Sequence, residues 1–396
     1  MLSIDAVTTA GEFSSLAPSW NDLLSASPRR SLYLTHEWLT SWWSTHAAPG
    51  MELCVLIARD EQGIAGLAPL VTLTRRYLGV PVRLIEFLSM SMYADHPASV
   101  TGSLDWVIRR EPEGVLGAFF DYIVRRKDTW QGLRLHPVPS DSPYLSLAVR
   151  ESSRRGLTAL RRTVLDDAVI GCAGGWDRFY GSLTGDFRRT LRRRSERLAA
   201  LGGVAYRRID GMEIGSMFER LLDIEKRSWK WERGVSLNSA ATGSFFREFV
   251  RKAASRGWLR TWVLTLRDED IAYELCISFD GDLHCLKKSY DMRYRDSFPG
   301  GLLERHIYEE AFRAGVNRIH TLWGDAEHKL RWRSVLEPHD ELLVFHDGSS
   351  SRRVRSFLIG AQATRIHREM AEGAKRALRW VGLHPRFSEL TRMDQL

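Results

Sequence analysis

Two stretches of alternating apolar and polar residues, one in each half of the chain, are typical of β-hairpins. In the first, ELCVLIARDEQGIAGLAPLVTL, apolar runs flank the polar turn 60–63. In the second, RTWVLTLRDEDIAYELCISF, similar runs flank the turn 268–270. Both turns contain Arg-Asp-Glu and are followed closely by Ile-Ala. The pattern therefore predicts a structural unit that occurs twice in the chain.

Between the two hairpins, a helix is predicted after a glycine-rich loop. The loop GCAGGWDRF (171–179) is a predicted boundary between domains. The segment LTGDFRRTLRRRSERLAALGG then places one apolar stripe on a helix that ends before a pair of glycines. The stripe consists of Leu183, Phe187, Leu191, Leu198 and Leu201, and the opposite face carries Arg188, Arg189, Arg192, Arg193 and Arg197. This basic face is either solvated or a contact surface for phosphate or RNA.

The second half is predicted to have the order β-α-α-β-β-β-α-β, an α+β layer with a mostly antiparallel sheet. Its last hairpin turns at residues 280–281, because Asp-Gly suits a two-residue turn. That turn would place Cys276 opposite Cys285 and Glu274 opposite Lys287. Alternation then assigns Tyr273, His284, Lys288 and Tyr290 to one face and Glu274, Cys276, Cys285, Ser289 and Asp291 to the other. The stretch 352–379 is predicted to be helical and basic.

The stretch KKSYDMRYRDSFPGGLLERHIYEEAFRAG joins this hairpin to an amphipathic helix through a basic loop and two glycines. The first amides of a helix are unpaired, and its macrodipole places roughly half a positive charge there. Gly300 and Gly301 would let a ligand approach this backbone, and Arg293 and Arg295 add charge, so the segment can bind a pyrophosphate. Alternatively, Pro299 is simply a good first-turn residue and the glycines allow close packing of helix on sheet.

These elements resemble the acyl-CoA-binding part of GNAT acetyltransferases. The basic-x-x-Gly-x-Gly/Ala loop of that family appears here in an altered form, RDSFPGG (295–301). More specifically, the chain resembles the BioF2-like/CelD-type acetyltransferases, which are associated with cellulose and exopolysaccharide gene sets. The motifs are FRRTLRRRSERLAALGG, IEKRSWKWERGV, KKSYDMRYRDSFPGGLL and WGDAEHKLRW, with AGLAPL and the loop Tyr93-Ala-Asp95 in the first half.

The resemblance implies two GNAT-like units in tandem, a relationship to the Fem peptidyltransferases, and acyl transfer to an amine or hydroxyl. We expect an N-terminal unit over 1–170, a C-terminal unit with the active site over 171–348, and a basic helical extension over 349–396. The expected co-substrate is acetyl-CoA or another acyl-CoA, and the altered loop leaves acyl-carrier protein and aminoacyl-tRNA open as donors. The acceptor would be a sugar, a polysaccharide precursor or a small metabolite. A non-catalytic accessory protein of a polysaccharide synthase is the alternative outside enzymes.

Acyl transfer needs a proton acceptor for the nucleophile and donors for the developing oxyanion. Glu225 is a candidate base, because burial beside tryptophan would raise its pKa; alternatively, it pairs with a cation on a solvated face. His284 is a second candidate base, or else a structural strand histidine. Tyr290 could donate to the leaving thiolate or to the oxyanion. Asp291, which follows it, is a third candidate base.

Further candidates would bind the donor or the substrate. Lys230 follows Glu225 near a helix end, and WGDAEHKLRW places Asp325 and Lys329 after the last predicted strand. Lys329 is the best single candidate for contact with an anionic ligand. The chain has neither a Gly-x-Ser-x-Gly motif nor a plausible Cys–His nucleophile arrangement, which favours direct transfer. Trp42, Trp43, Trp106 and Trp130 could line a sugar or acyl cleft, although tryptophan more often fills cores.

Composition narrows the partners and the compartment. The formal net charge of +8 favours an anionic partner such as CoA phosphates, a carrier protein, RNA or a membrane surface. The spacing of the four cysteines fits neither a disulfide framework nor a zinc site, so we expect free thiols and no bound metal. No apolar run is long enough to span a membrane and the N-terminus lacks the features of a signal peptide, which favours a cytoplasmic protein.

Overall fold

The computed structural model describes residues 2–77, 79–90, 101–211, 213–232, 236–238, 240–323 and 327–359. The loop Tyr93-Ala-Asp95, the candidate Asp325 and residues 360–396 of the predicted extension lie outside the described residues. Residues 349–359 are helical. Among the described helices, none is long and apolar enough to cross a membrane.

The described strands form a sheet of 13 strands, with helices on both faces. The first half contributes β1 (Ser3–Val7), β2 (Met51–Asp60), β3 (Gly63–Tyr77), β4 (Val80–Phe87), β5 (Val107–Ile108), β6 (Gly132–Pro139) and β7 (Thr158–Gly171). The second half contributes β8 (Val204–Arg208), β9 (Leu259–Leu266), β10 (Glu269–Phe279), β11 (Asp282–Tyr290), β12 (Arg318–Trp323) and β13 (Val335–Phe345).

The helices of the first half are α1 (Ala10–Ser15), α2 (Ala17–Ala26), α3 (His36–His46), α4 (Pro112–Val124) and α5 (Pro143–Arg154). Those of the second half are α6 (Trp176–Ser182), α7 (Gly185–Ala199), α8 (Ile214–Lys226), α9 (Trp229–Glu232), α10 (Ala240–Ser255), α11 (Pro299–Arg313) and α12 (Glu327–Leu330). Short 3₁₀ segments lie at Leu32–Leu34, Lys127–Thr129 and Met292–Ser297.

The strand order confirms the predicted duplication. The runs β1-β2-β3-β4-β6 and β8-β9-β10-β11-β12 each contain five neighbouring strands, and the last two strands of each run are parallel. The hairpins β2–β3 and β9–β10, which share the Arg-Asp-Glu turn, are the second and third strands of their runs. The element order predicted for the second half is also observed, except that the short helix α9 lies between the two predicted helices. β13 follows as a strand that the pattern did not predict.

The two runs exchange strands at the centre of the sheet. β7 follows the first run in the chain but pairs with β12 of the second run, and β13 follows the second run but pairs with β6 of the first. β7 and β13 also pair with each other along their whole length. The predicted boundary at residue 171 thus falls at the end of a strand that is hydrogen-bonded to the second half, and the division into units remains a prediction.

Helices cover the second half of the sheet on both faces. On one face, α8 and α10 pack with α3 in a core that extends into the first half. On the other, α7 and α11 form a separate core. The predicted apolar stripe is buried except for Leu201, which is 38% exposed, and its two end residues, Leu183 and Leu201, lie outside α7. Trp106 and Trp130 are buried in the core, while Trp42 and Trp43 pack against it half-buried.

Candidate active site

The parallel strands β11 and β12 diverge in front of α11. Their pairing is confined to Leu283 and His284 of β11, opposite Ile319 and His320 of β12, although both strands continue for several residues. The carboxyl ends of the strands are therefore separated, and α11 begins next to this gap at Pro299. Such a gap leaves strand backbone for a ligand to pair with, and the helix amides can face an anionic group.

A buried carboxylate holds the loop between β11 and α11. Asp291 is fully buried and accepts hydrogen bonds from the Arg293 N–H at 2.9 Å and the Arg227 Nε at 2.6 Å. Burial alone would raise the pKa of Asp291, but the hydrogen bonds from Arg293 and Arg227 lower it below its usual value. An enclosed, ionised carboxylate is a poor proton acceptor, so this geometry gives Asp291 a positioning role.

The two arginines that were predicted to bind phosphate have different surroundings. Arg293 pairs with both Asp291 and Glu269, so its charge is neutralised inside the loop. Arg295 has a 67% exposed side chain, and Asp296 is 3.9 Å away from its Nε. Only Arg295 therefore has a guanidinium that is available to an incoming anion.

The two glycines also differ. A Cβ on Gly301 would lie 1.9 Å from Cε1 of Phe298, so packing against the residue that precedes the helix requires this glycine. Close packing of helix on sheet as the reason for both glycines stays a prediction. A Cβ on Gly300 would lie 3.4 Å from Cδ1 of Tyr290, which is ordinary van der Waals contact. Gly300 is half-buried in the first turn of α11, and it is the one of the two where a ligand can approach the backbone.

A β-bulge in the β10–β11 hairpin changes the predicted register. Both turn residues have the positive φ of the expected two-residue turn, and Cys276 pairs with Cys285 as predicted. Beyond the bulge, however, Glu274 pairs with Lys288, so its predicted pairing with Lys287 was wrong. One extra residue in β11 moves the rest of the strand to the other face.

On the α11 face of the sheet, Lys288 lies among carboxylates. Its ammonium pairs with Glu304 of α11, which also accepts from the Trp332 Nε1 at 3.1 Å. Burial acts to lower the pKa of Lys288, but Glu304 and Glu274 outweigh burial and raise it. Burial also raises the pKa of Glu274 to about 7. Tyr290, like Lys288, was predicted on the opposite face and instead packs against the α7–α11 core.

Glu274, Cys276 and Cys285 bring their ligand atoms within 4.8 Å of one another, close enough to hold a metal ion. The two Sγ atoms are 3.6 Å apart and both thiols are free. Burial raises the pKa of the Cys276 thiol, and metal binding would need the thiolate. Lys288 adds a positive charge beside them. The expectation of no bound metal stays a prediction.

On the α8 face, the candidate base Glu225 is enclosed. It is fully buried, and its two oxygens accept from the Tyr273 hydroxyl at 2.5 Å and the Leu237 N–H at 2.6 Å. Lys287 is half-buried on the same face, with its ammonium over the Phe246 ring. Burial lowers the pKa of Lys287 to about 8, and the charge of Glu225 limits the decrease. Of these two groups, Glu225 is fully buried and Lys287 is only partly buried.

Lys230 and Lys329, both candidates for contact with the donor or the substrate, donate hydrogen bonds to backbone carbonyls on the two sides of the gap. Lys230 donates to the carbonyl of Lys288 at the bulge. Lys329 donates to the carbonyls of Leu322 and Trp323, at 2.7 and 2.6 Å. Burial lowers the pKa of each ammonium to about 8. Both lysines fix the separated strand ends, and their contact with a donor remains a prediction.

His284 lies apart from these groups, near the start of β11. Its ring stacks on His320 at 4.6 Å and meets the Tyr33 ring edge-on at 5.7 Å. Burial lowers the pKa of His284 well below its usual value. Lys287 lies three positions further along β11, at a distance of about 10 Å, and Tyr290 lies three positions beyond Lys287. The structure therefore does not bring His284 together with Tyr290.

Helix α7 places its basic face beside the loop. Arg194 donates to the carbonyl of Asp296 in the 3₁₀ segment. Arg188, Arg193 and Arg197 are exposed. None of these three forms an ion pair with any residue that the structure describes. A solvated face and a phosphate-binding face both fit this arrangement.

Sequence reasoning missed Lys287 as a candidate and missed the pair Lys288–Glu304. The bulge had no signal in the local pattern, because two adjacent lysines on opposite faces also fit a regular strand. Glu304 was detectable as a charged residue on the buried side of α11, where nine-tenths or more of its surface is covered. Such a residue is expected to have a partner across the helix–sheet interface.

Comparisons with known proteins agree with this geometry. Residues 185–330 match the family model described as an acetyltransferase (GNAT) domain, which spans α7 to α12. No curated protein matches the chain.

Solved structures share the fold over most of the chain. FemX aligns with a TM-score of 0.56 and 12% identity, covering 86% of this chain and 96% of FemX. L-PGS from Bacillus licheniformis aligns with a TM-score of 0.51 and 10% identity, covering 88% of this chain and 96% of that chain. The C-terminal domain of a putative lysylphosphatidylglycerol synthetase from Agrobacterium fabrum gives a TM-score of 0.51 and 11% identity, covering 88% and 95%. At these identities, the similarity concerns the fold.

The gap between β11 and β12 lies inside the segment that matches the acetyltransferase domain. The same five-strand run, with its parallel last pair, occurs once more in the first half. The chain thus has a GNAT-like fold in tandem, with a mixed sheet flanked by helices, and residues 185–330 of its second half match the GNAT acetyltransferase model.

Proposed function

We propose that the protein transfers an acyl group, most simply acetyl, from a thioester donor directly to an amine or hydroxyl at the gap between β11 and β12. The observation that carries the proposal is the restriction of β11–β12 pairing to two residues, next to the start of α11. Beyond His284, no described strand pairs with β11 on that side, so its backbone can pair with an amide-containing donor arm. Arg295 and the first turn of α11 would receive the phosphates.

Lys287 and Tyr290 lie on opposite faces of β11, on either side of a thioester placed in the gap. The acceptor would approach from the α8 face, where the neutral amine of Lys287 takes its proton. The acceptor's nitrogen or oxygen forms a bond with the acyl carbon as the carbon–sulfur bond breaks. Tyr290, on the α11 face, would protonate the leaving thiolate. The negative charge of Glu225, on the same face, limits the decrease in the pKa of Lys287 that burial causes.

We extend the proposal to the identity of the acceptor and of the donor. The BioF2-like/CelD-type resemblance supports a sugar or polysaccharide precursor as acceptor and acetyl-CoA as donor. Acyl-carrier protein would use the same gap through its thioester arm. A non-catalytic accessory role predicts binding of these partners without release of thiol.

A thioester-release assay with an acyl-CoA panel and amine-bearing sugars tests the assignment of Lys287. Lys287→Met should lower kcat by about 100-fold or more, the range of a general base, with little change in donor affinity. In the unaltered protein, activity should rise with pH through about 8, where Lys287 loses its proton. Lys226→Met is the matched control, because that lysine lies on α8 with a 56% exposed side chain and pairs only with Asp223. Full activity of Lys287→Met would contradict the role.

Aminoacyl-tRNA is the second candidate donor, and the exposed arginines of α7 beside the loop favour it. Filter binding of charged tRNA should weaken when Arg188, Arg193 and Arg197 are replaced together by alanine. The slope of log affinity against log salt should also become shallower by about 2–3. Acyl-CoA binding should be unchanged in the same variant. Equal tRNA binding by both proteins would remove this candidate.

A further inference from the structure

A cavity of about 300 Å³ lies between the two halves, at the end of β11 far from α11. We call it the seam cavity. Its lining comes from residues 29–34, 103–105 and 139–141 of the first half, and from 279–284, 318–320 and 337–339 of the second. Its size is at the lower end of the range for small-molecule sites.

Three buried polar groups of the seam cavity have no hydrogen-bond partner. They are the hydroxyl of Tyr33, Nδ1 of His284 and Oδ2 of Asp105. The side chains are nearly enclosed, since Tyr33 is 4%, His284 6% and Asp105 2% exposed. Buried polar atoms are almost always hydrogen-bonded in folded proteins. All three atoms belong to residues that line the seam cavity, which makes the cavity the place to look for their missing partners.

The charged groups of the seam cavity are already paired with one another. The pairs are Arg29–Asp141 at 2.6 Å, Arg30–Asp280 at 3.0 Å and Arg318–Asp282 at 3.0 Å. His320 lies between Asp167 and Asp282, at 2.9 and 3.1 Å. An anionic ligand would therefore meet carboxylates that already neutralise these arginines. A phosphate or carboxylate does not fit this charge balance.

The unpaired groups are those that a neutral ligand needs. Tyr33 offers a phenol, and His284 is a neutral imidazole because burial lowers its pKa. Burial raises the pKa of Asp105 to about 7, so its carboxyl can also donate a proton to a hydrogen bond. Leu34 and Phe279 contribute apolar surface. Hydroxyl groups on a compact carbon skeleton match this mixture of donors, acceptors and apolar walls.

We propose that the seam cavity binds a neutral, hydroxyl-rich ligand of about the size of one sugar unit, as the anchoring part of the acyl acceptor. The ligand's role as acceptor rests on the proposed acyl transfer, whereas its binding does not. His284 and Lys287 lie on the same strand, about 10 Å apart. The reacting group of the acceptor therefore extends from the cavity toward Lys287.

Binding to the full-length protein without donor tests the proposal. The probes are methyl glucoside and N-acetylglucosamine as neutral sugars, with glucuronate and glucose 6-phosphate as anionic ones, and titration is followed by ligand-observed NMR. Neutral sugars should bind and anionic ones should not. Tyr33→Phe and Asp105→Asn should each weaken binding about tenfold, the effect of one lost buried hydrogen bond.

The ligand-free stability of Tyr33→Phe provides a second readout. Its melting temperature should equal or exceed that of the unaltered protein, because the hydroxyl has no partner to lose. Tyr206→Phe is the matched control: Tyr206 lies on the edge strand β8 with its ring stacked on His306 at 4.4 Å, outside the lining of the seam cavity, so sugar binding should persist. The proposal is overturned if no neutral sugar binds, if anionic sugars bind more tightly, or if both cavity variants bind as well as the unaltered protein.

Failure of this inference is distinguishable from failure of the proposed function. Sugar binding that depends on Tyr33, without any thioester release, would support the cavity and contradict acyl transfer. Thioester release with a different acceptor, without sugar binding, would overturn the cavity and leave acyl transfer intact.

Discussion

Lys287 and Lys288 are neighbours in the chain and point to opposite faces of β11, and the bulge decides that Lys288 is the one that meets the carboxylates on the α11 face. Burial lowers the pKa of Lys287 to about 8, whereas the carboxylates around Lys288 raise its pKa. Arg293 and Arg295 also differ in their surroundings, because Arg293 pairs with Asp291 and Glu269, whereas Arg295 is exposed. At the scale of the residue, the partners of a side chain decide its chemistry more than its type does.

His320 is predicted to make stability depend on pH. Burial would lower its pKa, but hydrogen bonds to Asp167 and Asp282 outweigh burial and raise it to about 9. The folded protein then holds a proton that the unfolded chain releases above pH 6.5. The stabilisation is complete below pH 6.5 and is lost between pH 6.5 and 9. A rise from 6.5 to about 9 corresponds to about 3 kcal/mol.

Urea unfolding of His320→Gln measures this effect. The variant should be less stable by about 3 kcal/mol at pH 6, and the difference should shrink as the pH approaches 9.5. His339→Gln is the control, because burial lowers the pKa of His339 and no loss above pH 6.5 is expected. A difference that stays constant from pH 6 to 9.5 would show that His320 is neutral in the folded protein.

At the scale of the element, the first turn of α11 contains one glycine that packing requires, Gly301, and one with room for a ligand, Gly300. Phe298 has a left-handed backbone conformation, with φ of 55°, and its ring fills the space beside Gly301. Gly300 faces the ring of Tyr290 instead. The loop before the helix is fixed from the inside by Asp291, which leaves Arg295 exposed in front of the gap. A rigid loop of this kind can hold an anionic group without reorganising.

Alanine at each glycine separates the two roles. Gly301→Ala should destabilise the protein by about 1–3 kcal/mol, because its methyl group overlaps the Phe298 ring. Gly300→Ala should leave the melting temperature nearly unchanged, since its methyl group meets only ordinary contacts. Donor affinity should nevertheless fall in Gly300→Ala, where the methyl group obstructs the helix backbone. Unchanged donor affinity in a stable Gly300→Ala protein would mean that α11 does not contact the donor.

Arg295→Ala should weaken donor binding by roughly tenfold to a hundredfold, the effect of one charge-assisted phosphate contact. Titration with acyl-CoA, acyl-carrier protein and charged tRNA shows which donor is affected. Arg293→Ala is the comparison, because it leaves Asp291 with fewer partners and should lower the melting temperature as well. If all three donors bind Arg295→Ala as tightly as the unaltered protein, the loop only connects β11 to α11.

At the scale of the whole molecule, the two halves are joined by more than a linker. The exchange of β7 and β13 gives each half a strand of the other. On one face, Trp38 of α3 packs against Phe245 and Phe249 of α10, with ring centroids 4.8 and 4.7 Å apart. Both connections place the boundary between the units inside a continuous sheet and a continuous core. The described part of the chain should therefore unfold as one cooperative unit.

Calorimetry of full-length protein tests this cooperativity. Leu342 is fully buried in β13, between β6 and β7, so Leu342→Asn should lower the free energy of unfolding by about 2–5 kcal/mol. The transition should stay single and move as a whole. Val335→Asn is the control on the same strand, because Val335 is 65% exposed and the change should be within about 0.5 kcal/mol. Two transitions, of which only one moves, would contradict the prediction.

The sequence by itself determined the local elements. The two hairpins, the turn 280–281, the apolar stripe of α7 and the start of α11 after Pro299 all follow from periodicity and turn chemistry, which involve residues close together in the chain. The similar hairpins also indicated the duplication, and the order of elements in the second half was predictable for the same reason.

Tertiary structure decided which strands meet and which charges are buried. The exchange of β7 and β13 pairs segments more than a hundred residues apart, and no local pattern specifies such a pairing. The bulge that turns Lys288 rather than Lys287 toward α11 depends on how β11 fits between two helical layers. The chemistry of Glu225 likewise depends on Tyr273 and on the Leu237 amide, which only folding brings to it. Desolvation and partner geometry set these properties, and both arise from residues that are distant in the chain.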